Sequence, residues 1–186
     1  MNILILSPHP DDAELMVGGS IAKWKRLGHF VKVIAFSLCD NPRIEREFNG
    51  SMGVLGVNQY TLHDFPRRVF SLHRQEILEL LRLEEDIDLV VMPSGEDKHQ
   101  DHRVIHEEGL RAFNCSIWMY CAEHNSNITV RRCVSELLPS DFHKKVMALE
   151  QYKSQYHRPY FMEFIEDEKE QAEEYFDIYR QIDRSW

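Results

Sequence analysis

Two short stretches carry the residues able to do metal and acid–base chemistry. The first is Ser7-Pro8-His9-Pro10-Asp11-Asp12-Ala13-Glu14, and the second is Asp97-Lys98-His99-Gln100-Asp101-His102. In the first, an imidazole (His9) and a carboxylate (Asp12) stand three residues apart, close enough to chelate one divalent cation from a single tight turn. Asp11, between them, is left free to act on water as a base. The flanking prolines fix φ and so limit where the three side chains can point. A plainer role for Asp11 or Asp12 is to cap a following helix. Capping needs only one carboxylate and explains neither His9 nor the second Asp.

The second stretch sets two imidazoles around a carboxylate. Either His99 or His102 could join His9 and Asp12 in a three-ligand site. Three protein ligands with one open position is the pattern of catalytic zinc, whereas structural zinc is closed by four ligands, often cysteines. Cys39, Cys115, Cys121 and Cys133 form no Cys-x-x-Cys pair. The plainer reading, polar residues in a surface loop, leaves the matched placement of the two stretches unexplained.

The elements around these stretches predict how they meet. Ile3-Leu4-Ile5-Leu6 reads as the buried part of a strand over residues 2–7, ending at the first stretch. A helix follows from Leu15 to Leu27, closed by Gly28, with Gly18 and Gly19 on a small face suited to close packing on a sheet. Strands are predicted over 30–37, 58–62, 87–92 and 116–121. Helices are predicted over 43–55 (closed by Gly56), 72–83 (capped by Ser71) and 103–113. The β-α-β opening predicts a parallel sheet with right-handed crossovers. The expected fold class is therefore α/β, a Rossmann-like three-layer sandwich with a mostly parallel sheet. Both stretches then leave carboxyl ends of strands, where such sheets bind ligands. No Gly-x-Gly-x-x-Gly follows the first strand, which argues against a dinucleotide. In the last third, residues 128–136 read as extended, a helix runs from Pro139 to about Tyr156, and a charged helix spans 167–182 with Ala172, Phe176 and Tyr179 on one side.

The 186 residues suit one domain, 1–186, with a proper core. The net charge of −9, from 22 basic and 31 acidic residues, is the wrong sign for a general nucleic-acid backbone binder. No apolar run reaches the ~18–20 residues of a membrane span, and no basic leader region opens the chain. The cysteines read as free thiols of a reducing compartment. The expectation is a cytoplasmic protein with no membrane span and no nucleic-acid partner; its oligomeric state, a homo-oligomer included, is open.

The Pro-His-Pro-Asp-Asp-x-Glu turn and the His-x-Asp-His segment resemble the two signatures of the LmbE-like, or PIG-L-like, N-deacetylases. The resemblance extends to the segment Glu47 to Gly56, the Asp64 to Arg68 turn, and the Lys144 to Gln155 helix ending Tyr-Lys-Ser-Gln. It implies an LmbE-like fold and a Zn2+-dependent hydrolase, with another divalent transition metal as the alternative ion. The implied reaction removes an acetyl group from an N-acetylated amino sugar or sugar conjugate, as in surface polysaccharide or glycoconjugate biosynthesis. By position in these motifs, His9, Asp12 and His102 match zinc ligands and Asp11 the general base acting on a zinc-activated water. His99 matches the residue that stabilises the oxyanion, and Asp101 the carboxylate that orients His99. The substrate-binding Arg matches Arg43 or Arg46, and Asp64 and Arg68 are further candidates for substrate contact. The expected partner is a small-molecule or conjugated N-acetyl sugar. Two other readings stand beside this one: a zinc amidase on a non-sugar amide, and a metal-dependent sugar-binding module without turnover. Asp11 argues against the module, because a binder needs no base there.

Overall fold

The computed structural model describes residues 1–38, 41–121, 133–158, 161 and 173–180. In chain order its elements are β1 (Asn2–Ser7), α1 (Asp12–Arg26), β2 (Phe30–Ala35), α2 (Ile44–Leu55), β3 (Gln59–Leu62), α3 (Arg74–Leu81), β4 (Leu89–Pro93), α4 (Gln100–Ala112), β5 (Ser116–Tyr120), β6 (Cys133–Glu136), α5 (Pro139–Leu149) and β7 (Glu173–Arg180). The strands form one sheet in the order β3-β2-β1-β4-β5-β7-β6. The first five strands of that order run parallel, and β7 and β6 are antiparallel additions at one edge. This is the α/β, mostly parallel sandwich expected from the alternation of strand and helix patterns.

Side chains alternate along a strand, so a sheet covered on both faces needs apolar residues at every position. In β1, Ile3 and Ile5 enter one core with residues of α1, α2 and α5, while Leu4 and Leu6 enter the other with residues of α3 and α4. The continuous run Ile3-Leu4-Ile5-Leu6 is thus the sequence of a strand between two helical layers. The chain order reverses at β1, whose neighbours are β2 and β4. The loops after β1 and β4 therefore leave the same sheet edge side by side, which is the switch point where α/β sheets bind ligands.

Several expectations are corrected. The charged helix expected over 167–182 is, in its described part, the strand β7. Its buried residues Glu174 and Phe176 alternate with more exposed neighbours. Phe176 packs on Trp24 and Trp118, and β7 is paired on both sides by β5 and β6. Aromatic packing and two ladders override the helical reading of its charges. Residues 167–172 and 181–182 lie outside the described residues. The expected strand 128–136 is described only as β6, and the helix expected to reach Tyr156 ends at Leu149, followed by a short 3-10 turn at Lys153–Gln155.

The Gly18–Gly19 face meets α5 and the segment before it, and touches the sheet through Glu174 of β7. A Cβ on Gly18 would stand 2.9 Å from Cγ of Lys145, and one on Gly19 would stand 2.3 Å from Cδ1 of Leu137. The glycines therefore admit α5 and the segment before it. Here α1 is also broken: Val17 has φ −138° and ψ 18°, outside helical values. Just past the break, the amides of Gly19 and Ser20 donate to the Glu174 carboxylate at 2.9 and 2.6 Å. The Lys145 ammonium pairs with the same carboxylate at 2.9 Å. No helix among the described residues is long and apolar enough to cross a membrane.

Candidate metal centre

The turn after β1 is fastened from several directions. The Ser7 hydroxyl donates to the His9 carbonyl at 2.6 Å and accepts from the Ala13 amide at 3.0 Å. The Tyr152 hydroxyl, arriving from beyond α5, lies 2.6 Å from the Pro10 carbonyl and 2.7 Å from Oε1 of Glu14. Ser51 of α2 reaches the same Oε1 at 2.5 Å. A carbonyl can only accept, so the tyrosine hydrogen belongs to the Pro10 bond. The Glu14–Tyr152 contact then needs a proton on Glu14. Burial, which pushes this carboxyl up to about 8, keeps that proton in place at neutral pH.

The second stretch is only partly a loop. His99 is the N-cap of α4, and its Nδ1 accepts from the Asp101 amide at 3.2 Å. His102 stands in the first turn of that helix, one residue after the buried Asp101.

These elements bring three donor atoms together. His9 Nδ1 and Asp12 Oδ2 are 3.2 Å apart, His102 Nε2 and Asp12 Oδ2 3.1 Å, and the two imidazole nitrogens 3.4 Å. Donors bound at about 2.0–2.1 Å around a tetrahedral zinc stand roughly 3.3 Å from one another. The spacing therefore fits one shared ion. The outer nitrogens fit as well: His9 Nε2 lies 3.2 Å from Asp101 Oδ2, and His102 Nδ1 lies 2.8 Å from Asp97 Oδ2. A carboxylate on the outer N–H leaves the inner lone pair facing the cluster, which is how metal-ligating histidines are usually held. His9, His99 and His102 also offer donor atoms within 4.8 Å of one another. That spread is too wide for one tetrahedral ion, and Nδ1 of His99 is already engaged by a backbone amide. The set His9, Asp12 and His102 fits better.

The electrostatics ask for positive charge between these carboxylates. Burial opposes charge on His102, but Asp12 and Asp97 outweigh it and push its pKa up to about 10. Burial likewise opposes charge on His9, and its hydrogen bonds to Asp101 and Asp12 raise it. Asp12 is held well below the usual carboxylate range: burial works against its ionisation, and the two histidines overcome it. A cation among the same donors would meet this demand in place of the protons. Asp11 behaves differently. Burial, and then the charge of Asp12, raise it to about 6. His99 is lowered, first by burial and then by His102 and His9.

Not every candidate residue gathers here. Arg43 and Arg46 are exposed at the head of α2, Asp64 is exposed beyond β3, and among the described residues no hydrogen bond or ion pair joins any of the three to the cluster. Arg68 is exposed, but its backbone is tied in. Its amide donates to Asp101 Oδ2 at 2.7 Å, and its carbonyl accepts from the Gln100 side chain. Its φ of 67° is rare for a residue with a side chain.

The expected partner of Asp101 is corrected. Its carboxylate touches His9 and the Arg68 amide, and only its backbone N–H touches His99. The first turn of α4 turns the Asp101 side chain away from the cap. Asp97, its carboxylate on His102, and Tyr152, tethering Pro10, are residues to which sequence reasoning gave no role. Asp97, just before His102 in sequence, carried a local signal; Tyr152 carried only its place in the Tyr-Lys-Ser-Gln segment that shares the family resemblance. The segment Cys121 to Asn127 lies outside the described residues except for Cys121.

A model of the PIG-L family, described as GlcNAc-PI de-N-acetylase, matches residues 4–113, more than half of the chain and both halves of the cluster. Among solved structures, a triple-mutant deacetylase of the teicoplanin biosynthetic pathway matches with TM-score 0.82 at 19% identity, covering 100% of both chains. N,N'-diacetylchitobiose deacetylase from Pyrococcus horikoshii matches with TM-score 0.67 at 16% identity, over 95% of this chain and 83% of that one. The 4-carboxy-2-hydroxymuconate hydratase GalB of Pseudomonas putida KT2440 matches with TM-score 0.74 at 13% identity, again over 100% of both. Identities this low speak for the fold alone, and the hydratase shows that this fold serves more than one reaction.

Proposed function

Because the chain belongs to the PIG-L family of de-N-acetylases, we propose that it is a metal-dependent N-deacetylase acting on an N-acetylated amino sugar or sugar conjugate. The observation that carries this reading is the trio His9 Nδ1, Asp12 Oδ2 and His102 Nε2, mutually 3.1–3.4 Å apart with Asp11 between two of its members in sequence. The names of two structural neighbours, a deacetylase of teicoplanin biosynthesis and a diacetylchitobiose deacetylase, favour acetyl removal over hydration.

The trio would hold a divalent ion, zinc by its donor set, and the ion when bound supplies Lewis acidity and a lowered pKa for water. Asp11 takes a proton from the attacking water, whose oxygen adds to the acyl carbon. Asp11 then returns that proton to the sugar nitrogen as the C–N bond breaks, releasing a free amine and acetic acid, which gives up its remaining proton to solvent as acetate. The His99 ring stands 4.8 and 4.7 Å, centre to centre, from the rings of His9 and His102. Its Nδ1 accepts a backbone N–H, so a neutral His99 carries its proton on Nε2 and can donate it to a developing oxyanion. The lowered pKa of His99 favours this neutral donor over the protonated one. Asp97 and Asp101 hold the two ligand rings. Of the residues considered for substrate contact, Arg68 is favoured by its tie to Asp101, over Arg43, Arg46 and Asp64.

The test is acetate release from free N-acetylglucosamine, its 1-phosphate, a nucleotide-linked form and N,N'-diacetylchitobiose. Release should vanish after chelation and return with zinc. Release that survives chelation would refute the metal dependence. No release from zinc-loaded protein would favour a non-sugar amide or a binding role. Asp97→Asn should weaken zinc binding by about 10- to 100-fold, read by competition with a chelating dye. Unchanged affinity would remove Asp97 from the site.

A further inference from the structure

The residues that fasten the β1 turn come partly from outside the family match, which ends at residue 113. Tyr152 is fully buried, and it stands between α5 and the 3-10 turn at Lys153–Gln155. That segment is itself anchored to α2, because Glu47 accepts from both the amide and the hydroxyl of Ser154 at 2.9 and 2.5 Å. The Tyr152 hydroxyl delivers its hydrogen to the Pro10 carbonyl at 2.6 Å. Pro10 immediately precedes Asp11, and its carbonyl lies in the peptide unit that includes the Asp11 nitrogen. Fixing that carbonyl fixes the plane from which the Asp11 side chain departs. The Asp11 side chain has no capping bond to α1 that would do the same work. His9 and Asp12, by contrast, are bound to each other and to Asp101 and His102.

We infer that Tyr152 is a positioning residue for the general base: its hydrogen bond to the Pro10 carbonyl aims the Asp11 carboxylate, while the metal ligands are held independently. The inference rests on the deacetylase reading. The hydrogen bonds of Tyr152 go to Pro10, Glu14 and Ser51, not to the donor trio or the Asp11 carboxylate. Its effect should therefore fall on the chemical step, where a misplacement of about 1 Å costs up to about 10²-fold.

The experiment compares wild type, Tyr152→Phe and Ser51→Ala as zinc-loaded protein, on whichever N-acetyl sugar the wild type turns over. Ser51 meets the Tyr152 hydroxyl and shares its Glu14 contact, but makes no bond to Pro10. Tyr152→Phe should lower kcat by roughly 10- to 100-fold, with KM and the zinc dissociation constant, measured by chelator competition, both within about threefold of wild type. Ser51→Ala should change kcat by less than about threefold. Assays run well below the melting temperature of each variant keep a stability loss from passing as a loss of kcat. An unchanged kcat in Tyr152→Phe would overturn the inference. So would an equal loss in Ser51→Ala, which removes the Ser51 contacts to Glu14 and Tyr152 but leaves the Pro10 bond in place, or a parallel loss of zinc affinity, which would mean that the whole turn moves. A wild type that releases no acetate sinks the deacetylase reading instead.

Discussion

Asp11→Asn is expected to lower kcat by about 10³-fold, close to 4 kcal/mol of barrier, while zinc content stays at the wild-type level. Asn keeps the size of the side chain and its place beside Asp12 but cannot accept a proton from water. The pH profile supplies a second readout. Burial and the neighbouring Asp12 raise Asp11 to about 6. The base form therefore fills as pH rises through that region, and activity should climb with it and level off above. A cation in the donor trio attracts the charged carboxylate and draws the limb to 6 or lower. The acidic limb should be absent from whatever activity the Asn variant retains. Metal analysis and a pH series on kcat check both parts. Near wild-type turnover in the variant would take the base role from Asp11.

What the sequence made legible was local. His9, Asp11 and Asp12 sit within four residues, and His99, Asp101 and His102 within another four, so their types and spacing announce the chemistry before any fold is known. The parallel core was equally readable, since a strand buried on both faces must be apolar throughout, as Ile3 to Leu6 are. The pairings that complete the site are long-range, and spacing does not encode them. Asp101 was matched to His99, its neighbour in sequence, whereas its carboxylate reaches back to His9 through the junction of β1 and β4. Tyr152 lies 142 residues from Pro10 in sequence. The strand β7 was hidden for a related reason: its glutamates read as a solvated helix face, yet Glu174 is buried because a lysine and two amides meet it inside.

Glu174→Ala should destabilise the protein by about 3–5 kcal/mol, a large share of the total for a chain of this kind. The substitution removes the Glu174 carboxylate from beside the Lys145 ammonium, which is only 1% exposed. It also leaves the amides of Gly19 and Ser20 without that acceptor at the break in α1. These amides follow Val17, which departs from helical geometry, by two and three residues. Lys145→Met in the Glu174→Ala background should recover part of the loss, because a buried charge that has lost the Glu174 carboxylate goes, while the amides of Gly19 and Ser20 still lack that acceptor. Urea unfolding of the two single variants and the double variant measures this coupling. A cost below about 1 kcal/mol for Glu174→Ala would mean that the pair contributes no more than a surface ion pair. A large cost means that a residue of the last strand holds together the helix that begins with Asp12. It would also support reading residues 1–186 as one domain, because the part beyond the family match then stabilises the part that carries the candidate site.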